Sequence, residues 1–325
     1  MGQPDASNPL PAPLADAIEL VKRDHDHGAS WLAHQVAQAL ADTSHAERAS
    51  EPAGQQLQRI HQAARAFADA RPSMAALANT AARIWWAGAP SAAPALGPQA
   101  RLARIHDEAV RLLSLWHDAA DAILTAARPL LSGRLFTHSR SGTVEETLVR
   151  LAHMDPIDAH EQPRHIIVTE SRPGGEGIPA AEALAKAGWR VTLVPDAAYA
   201  LFIVDADTVV FGADSIRADG SVVNKVGSHT LALAAHAASV PVYVLCETLK
   251  IAAPDTPLTL EEMDPAEILP HPIPGVTPRN VYFERVPTHL ITGIITERGR
   301  LTPADIAATA AQASQARVAL AAAQD

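Results

Sequence analysis

A carboxylate and a cation stand close together in the stretch 205–250, DADTVVFGADSIRADGSVVNKVGSHTLALAAHAASVPVYVLCETLK. Asp214 falls where the apolar run TVVF ends, and Asn224-Lys225 comes just before HTLALAAHAA, a helix-length segment. The first N–H groups of a helix and its macrodipole favour an anion. A proton-moving carboxylate and a phosphate-type seat are therefore expected side by side.

Other short polar segments follow apolar runs in the same way. Ser139-Arg140-Ser141-Gly142 follows RLFTH, and the next residues, Thr143 to Glu146, have the spacing of a capping box. Small residues, an arginine and a helix start make a phosphate cradle. Ser171 to Gly177, SRPGGEG, follows HIIVTE. It is glycine-rich but has neither the Gly-Lys-Ser/Thr of a Walker loop nor a dinucleotide fingerprint, so neither ATP nor NAD is indicated. Asp196 follows RVTLVP, and Glu247 and Lys250 follow VPVYVLCE. Taken singly, Asp214 reads equally as a cap for the next helix and Lys250 as a solvated charge. Five polar segments after five strands point instead to one shared edge.

The elements that must position them divide the chain in two. Residues 1–13 read as a frayed tail. From 14 to 128 apolar residues recur at three- and four-residue spacing, predicting a helical domain that ends in one long helix, RLARIHDEAVRLLSLWHDAADAILTAARPL. Trp31, Trp85, Trp86 and Trp116 are expected as packing anchors between its helices. In the loop DHDHGAS (24–30) a solvated turn is preferred over a metal site. In Ala70-Arg71-Pro72-Ser73, Pro72 and Ser73 are placed to open a helix, and Arg71 reads equally as an anion contact or a surface arginine.

From 129 to 325, strands alternate with helix-length segments: 134–138, 165–170, 190–195, 208–212, 240–247 and 291–296. Several are unbroken runs of Val and Ile, as in a parallel sheet covered on both faces. The fold class is α/β: a helical domain, then a Rossmann-like doubly wound, mostly parallel sheet whose ligands bind beyond the carboxyl ends of its strands. Residues 251–280 read as a long proline-rich surface loop. The last helix is expected to have Thr302 as N-cap and Pro303 at its first position.

Composition narrows the function classes. The 325 residues carry a net charge of −10 and no Lys/Arg run, which argues against nucleic acid as a main partner. The single cysteine, Cys246, excludes an internal disulfide and a cysteine-based zinc site. No secretory signal, myristoylation signal or membrane-spanning run is read, so a soluble, cytoplasmic protein is expected.

The segments ARPSMAALANTA, RLFTHSRS, TESRPGGEG, VPDAA, GADSIRADGSVVNKVGS, CETLK and NVYFERVPTHLITGIITERG resemble one known family. It comprises the alpha, beta and delta regulatory subunits of translation initiation factor 2B, ribose-1,5-bisphosphate isomerase and methylthioribose-1-phosphate isomerase. HGASWLA, with Gly28 and Ala29, corresponds to a Gly-Ala element of the N-terminal domain. The resemblance spans roughly residues 27–300. It implies a helical domain, a Rossmann-like domain and a homodimer or larger homo-oligomer. For the isomerases it implies conversion of an aldose 1-phosphate, such as ribose 1,5-bisphosphate, to a ketose phosphate with no metal or nicotinamide cofactor. Carried over residue by residue, Asp214 is one member of the proton-transfer pair. Asn224, Lys225 and Arg71 contact phosphate or sugar.

Two positions depart from the isomerase pattern. Their catalytic cysteine is Ser139 here, and a thiol with a pKa of about 8.5 supplies some thiolate at neutral pH where a serine supplies no alkoxide without a base. Glu176 stands where the isomerases carry Gln. A charge there repels phosphate but accepts hydrogen bonds from sugar hydroxyls. Two readings follow. One is a sugar-phosphate isomerase using Asp214, helped by Ser139, with Gly28, Ala29, Arg71, Arg140, Glu176, Asn224, Lys225 and Lys250 as substrate contacts. The other is a non-catalytic subunit of the initiation-factor type that binds a sugar phosphate or nucleotide.

Overall fold

A computed structural model describes residues 10–24, 27–45, 51–154 and 164–322. The chain divides into two compact units: residues 1–72, 76–116 and 312–325 form one, and residues 73–75 and 117–311 the other. The first is built from helices α1 (Ala12–Arg23), α2 (Ala29–Ser44), α3 (Ala53–Ala68), most of α4 (Ala75–Gly88) and the first part of α5 (Pro98–Ala127). Their apolar spacing turns one stripe of each helix inward. On α2 Leu32, Val36 and Leu40 are buried, and on α3 Ile60, Ala63, Ala64 and Phe67. Of the four tryptophans expected as anchors, only Trp85 is fully buried, its indole donating to the Ala319 carbonyl at 3.1 Å. Trp31 is 37% exposed and stacks on His27 with ring centroids 3.8 Å apart, a surface pair and not a core anchor.

The second unit contains β1 (Leu135–Thr137), α6 (Gly142–Ala152), β2 (His165–Thr169), α7 (Gly177–Lys186), β3 (Arg190–Val194), the single turn α8 (Tyr199–Phe202) and β4 (Thr208–Phe211). The short strands β5 (Ser215–Ile216) and β6 (Val222–Lys225) follow, then α9 (Ser228–Ala237), β7 (Val242–Leu245), β8 (Phe283–Val286), β9 (Gly293–Thr296), β10 (Gly299–Arg300) and α10 (Pro303–Ala321). The end of α10, from Gln312 onward, groups with the helical unit. Thr302 caps α10 as its spacing predicts, accepting from the Asp305 N–H at 3.2 Å.

Seven strands form one sheet in the order β10-β9-β7-β4-β1-β2-β3, parallel except for the β9–β10 pair. Both faces of the central strands are buried, so their apolar runs split by alternation. Phe136, Ile167, Val209, Phe211, Val244 and Ile294 join one core. Their neighbours Leu135, Ile166, Val168, Val210, Leu245 and Ile295 join the other, under α6 and α7. Strand order reverses between β1 and β4: the chain steps outward from β1 through β2 to β3, then restarts at β4 and continues through β7 to β9. Ligands of doubly wound folds bind in the crevice at this reversal, beyond the carboxyl ends of the strands. Ser139 leaves the end of β1 and Asp214 the end of β4.

Sequence periodicity does not reveal the second sheet. The strands β5, β6 and β8 pair antiparallel, with Asn224 opposite Glu284 and Lys225 opposite Phe283. Asn224 and Lys225 thus end a strand, and α9 begins three residues after Lys225, at Ser228. Among the described residues, no helix is long and apolar enough to cross a membrane.

Candidate functional site

Three of the residues picked out by sequence meet directly in the sheet unit. The Ser139 hydroxyl donates to Glu176 Oε2 at 2.7 Å, and the Lys225 ammonium pairs with Glu176 Oε1 at 2.8 Å. Ser139 and Lys225 are buried, whereas the Glu176 side chain keeps 28% exposure, so the carboxylate is the part of the trio that solvent reaches. Ser139 holds φ at +65°, and Ser171, after β2, holds +59°. Left-handed backbone is costly for a residue with a Cβ and clusters where a site over-determines it. Here two such serines end the adjacent strands β1 and β2.

Glycines close the remaining gaps. A Cβ on Gly212, at the end of β4, would lie 2.2 Å from Ser141 Oγ, so the loops after β1 and β4 touch at the reversal of strand order. Asp214, two residues on and half-buried, is anchored by its N–H to the Val223 carbonyl at 2.9 Å, beside Asn224 on the same β6 strand. The Asn224 amide donates to Ser228 Oγ at 2.7 Å, and that hydroxyl donates to the Lys225 carbonyl at 2.6 Å. This turn holds the Lys225 backbone.

Tyr282 is missing from the sequence-derived set. Its ring lies 3.5 Å from Lys225 Nζ, and its hydroxyl donates to Glu267 Oε2. Burial pushes the phenol pKa up, so it stays a donor. The cue was NVYFERV, whose β-branched and aromatic residues read as strand, but its partner strand lies some 60 residues earlier.

Every cation expected to hold phosphate in this unit has a carboxylate of its own. Lys225 has Glu176. Lys250, read as solvated on its own sequence context, is buried and pairs with Glu247 at 3.5 Å. Arg140 makes a two-point contact with Glu145, at 2.9 and 3.2 Å. The helix start expected to attract an anion is also taken: Glu284 accepts from the N–H groups of Gly227 and His229, at 2.6 and 2.9 Å, at the head of α9. This corrects the expectation of an open phosphate seat there, because β8 carries its own anion to that helix.

His138, next to Ser139, is buried. Its Nε2 meets the Val226 carbonyl at 2.7 Å, and a carbonyl only accepts, so Nε2 carries the proton. Nδ1 is then the acceptor of the ring, with the Thr169 and Tyr199 hydroxyls at 2.6 and 2.9 Å. Burial drives the His138 pKa down. Lys225 pushes it the same way, while the Val226 hydrogen bond, Asp196 and Glu176 push it up. A lowered folded-state value means that the unfolded chain, near 6.5, binds the extra proton first. Stability is then full above about pH 6.5 and falls as pH drops toward the folded-state value, by up to about 1.4 kcal/mol per pH unit. Burial of His61 acts in the same direction. Denaturant midpoints are expected to fall between pH 7.5 and 5.5, with a shallower fall for His138→Gln.

Cys246 lies inside the core, and burial raises its thiol pKa far above the usual range. It does not stand in for the thiol that Ser139 lacks. An open groove of about 430 Å³, lined by Arg172, Asp196, Tyr199, Val226, Gly227 and Glu284, adjoins the strand ends but contains none of Ser139, Glu176 and Lys225. Asp196 shapes its wall, accepting from the N–H groups of Ser171 and Arg172 at 2.8 and 2.6 Å.

Gly28, Ala29 and Arg71 belong to the helical unit. Gly28 is the N-cap of α2 and Ala29 its buried first residue. Arg71 is buried, not a surface side chain, and donates to the Asp24 carbonyl at 2.7 Å. Residues 25 and 26 of the DHDHGAS loop lie outside the described residues. Its flanks meet where His27 Nδ1 contacts Asp24 Oδ2 at 2.8 Å.

Comparison with known proteins matches residues 25–303 to the model of the initiation factor 2 subunit family. A translation initiation factor eIF-2B subunit 2-like protein of Pyrococcus furiosus is 30% identical over 298 residues, covering 90% of this chain and 98% of that one. A ribose 1,5-bisphosphate isomerase of Archaeoglobus fulgidus is 42% identical over 153 residues, 45% of this chain and 49% of the enzyme. The solved structure of the Pyrococcus horikoshii translation initiation factor eIF-2B superposes with a TM-score of 0.74 at 29% identity, covering 91% of this chain and all of that one.

Proposed function

This chain belongs to the initiation factor 2 subunit family, and we propose that within it the protein binds a sugar phosphate and isomerises an aldose 1-phosphate to the ketose. One observation carries the reading: Ser139 and Lys225 converge on a single partly exposed carboxylate at the reversal of strand order, with Asp214 just beyond the end of β4. In an aldose 1-phosphate the carbonyl carbon is masked, so the ring must open first. The ring oxygen takes a proton as its bond to carbon 1 breaks, carbon 2 gives one up, carbon 1 regains one, and the 2-hydroxyl releases the last as the ketone forms. Protons balance and no co-reactant is needed. Asp214 is the carrier, Ser139 orients the sugar, and the Lys225 ammonium offsets negative charge that develops on oxygen.

One observation favours a second reading. On that reading, serine at position 139 and the only thiol, sealed in the core, leave a binding subunit without turnover. Incubation with ribose 1-phosphate, ribose 1,5-bisphosphate and related aldose 1-phosphates, followed by NMR, is expected to reveal the ketose. Thermal stabilisation by these sugars without any ketose would instead establish the binding-only reading, since a ligand held only by the folded state raises its stability. Neither ketose nor stabilisation would remove both.

A further inference from the structure

Glu176 is the feature that general sugar-phosphate binding does not use. Its carboxylate fills the position between Ser139 and Lys225 that an incoming anion would otherwise take, at 2.7 and 2.8 Å. The ammonium is 5% exposed and backed by the Tyr282 ring, so it has no second open side to offer. A phosphate on Lys225 must either push Glu176 aside, breaking both contacts, or share one ammonium with a second anion in a sheltered place. A sugar hydroxyl meets neither obstacle. It donates to the exposed lone pairs of the carboxylate, a charge-assisted hydrogen bond. The surroundings repeat the pattern, because Arg140, Lys250 and the head of α9 carry Glu145, Glu247 and Glu284.

Resting on the sugar-phosphate reading above, we infer that Glu176 is a specificity-determining residue that makes the Lys225 seat a hydroxyl seat. The ligand is then an aldose monophosphate with a neutral hydroxylated end against Glu176, and a bisphosphate is disfavoured. Ribose 1-phosphate and ribose 5-phosphate leave each end of the sugar neutral in turn, so together they probe the seat whichever way the ligand lies.

Calorimetric titration at fixed pH and salt tests this. The wild-type protein should bind at least one of the two monophosphates about tenfold more tightly than ribose 1,5-bisphosphate, roughly the value of one charged contact. In Glu176→Gln, which keeps the shape and loses the charge, that ratio should shrink about tenfold or invert. Glu176→Asp, which keeps the charge, should retain the preference. The wild-type ratio is a test that needs no variant to fold. Equal affinity for mono- and bisphosphates in the wild type, or a ratio unmoved in Glu176→Gln, overturns the inference and leaves the sugar-phosphate reading standing. No binding of any of the three sugars overturns both.

Discussion

Asp214→Asn is expected to lower turnover of an aldose 1-phosphate by at least about a hundredfold while leaving the thermal midpoint and KM close to those of the wild type. The change is isosteric and leaves the backbone bond to Val223 in place. What it removes is the capacity to take a proton from carbon and return it, worth roughly two to four orders of magnitude in general acid–base catalysis. Glu176 cannot easily substitute, because its two oxygens already hold Ser139 and Lys225. Ketose formation followed by NMR at saturating substrate separates the outcomes. If Asp214→Asn keeps more than a tenth of the wild-type rate, Asp214 is not the proton carrier and Glu176 becomes the candidate. A large rise in KM with unchanged kcat would make Asp214 a binding group only.

The sheet was legible because its central strands are buried on both faces. Runs such as HIIVTE and TVVF need apolar residues at every position, and this distinguishes them from amphipathic helices. The loops after them were legible as chemistry for the same reason: polar residues that interrupt such runs sit at strand ends. Tertiary pairing was not legible. The strand β6 is four residues long and its partner β8 begins 58 residues later, so no local pattern shows that Lys225 faces Phe283 or that Glu284 reaches the head of α9. The same blindness made the helix after Lys225 look like an open anion seat. Glu176 was visible as a charge where isomerases carry an amide, but its bridge between Ser139 and Lys225 joins the loops after β1 and β2 to the end of β6, segments far apart in sequence. Burial of Lys250 and Arg71 was hidden too, since a charged residue in a loop reads as solvated until its partner is known.

The Glu176–Lys225 pair should respond unequally to loss of either member. Removing the carboxylate with Glu176→Leu strands an ammonium that is 5% exposed, and breaking a buried pair in this way costs about 3–5 kcal/mol. The Tyr282 ring, 3.5 Å away, faces the ammonium in both proteins, so its cation–π contact does not offset this loss. A loss of about 3–5 kcal/mol is therefore expected. Removing the ammonium with Lys225→Met leaves instead a carboxylate that already has 28% exposure and can rehydrate, while the methionine packs on the tyrosine ring. That variant should lose no more than about 1 kcal/mol, within the range of partly exposed ion pairs. Its ligand affinity should fall about a hundredfold, because the cation that orients Glu176 toward the sugar is gone. Stability and binding therefore move in opposite order in the two variants. Denaturant midpoints and calorimetric titration on both decide it. Equal destabilisation would mean that the two charges are solvated alike, and undiminished binding in Lys225→Met would place the ligand elsewhere on the strand ends.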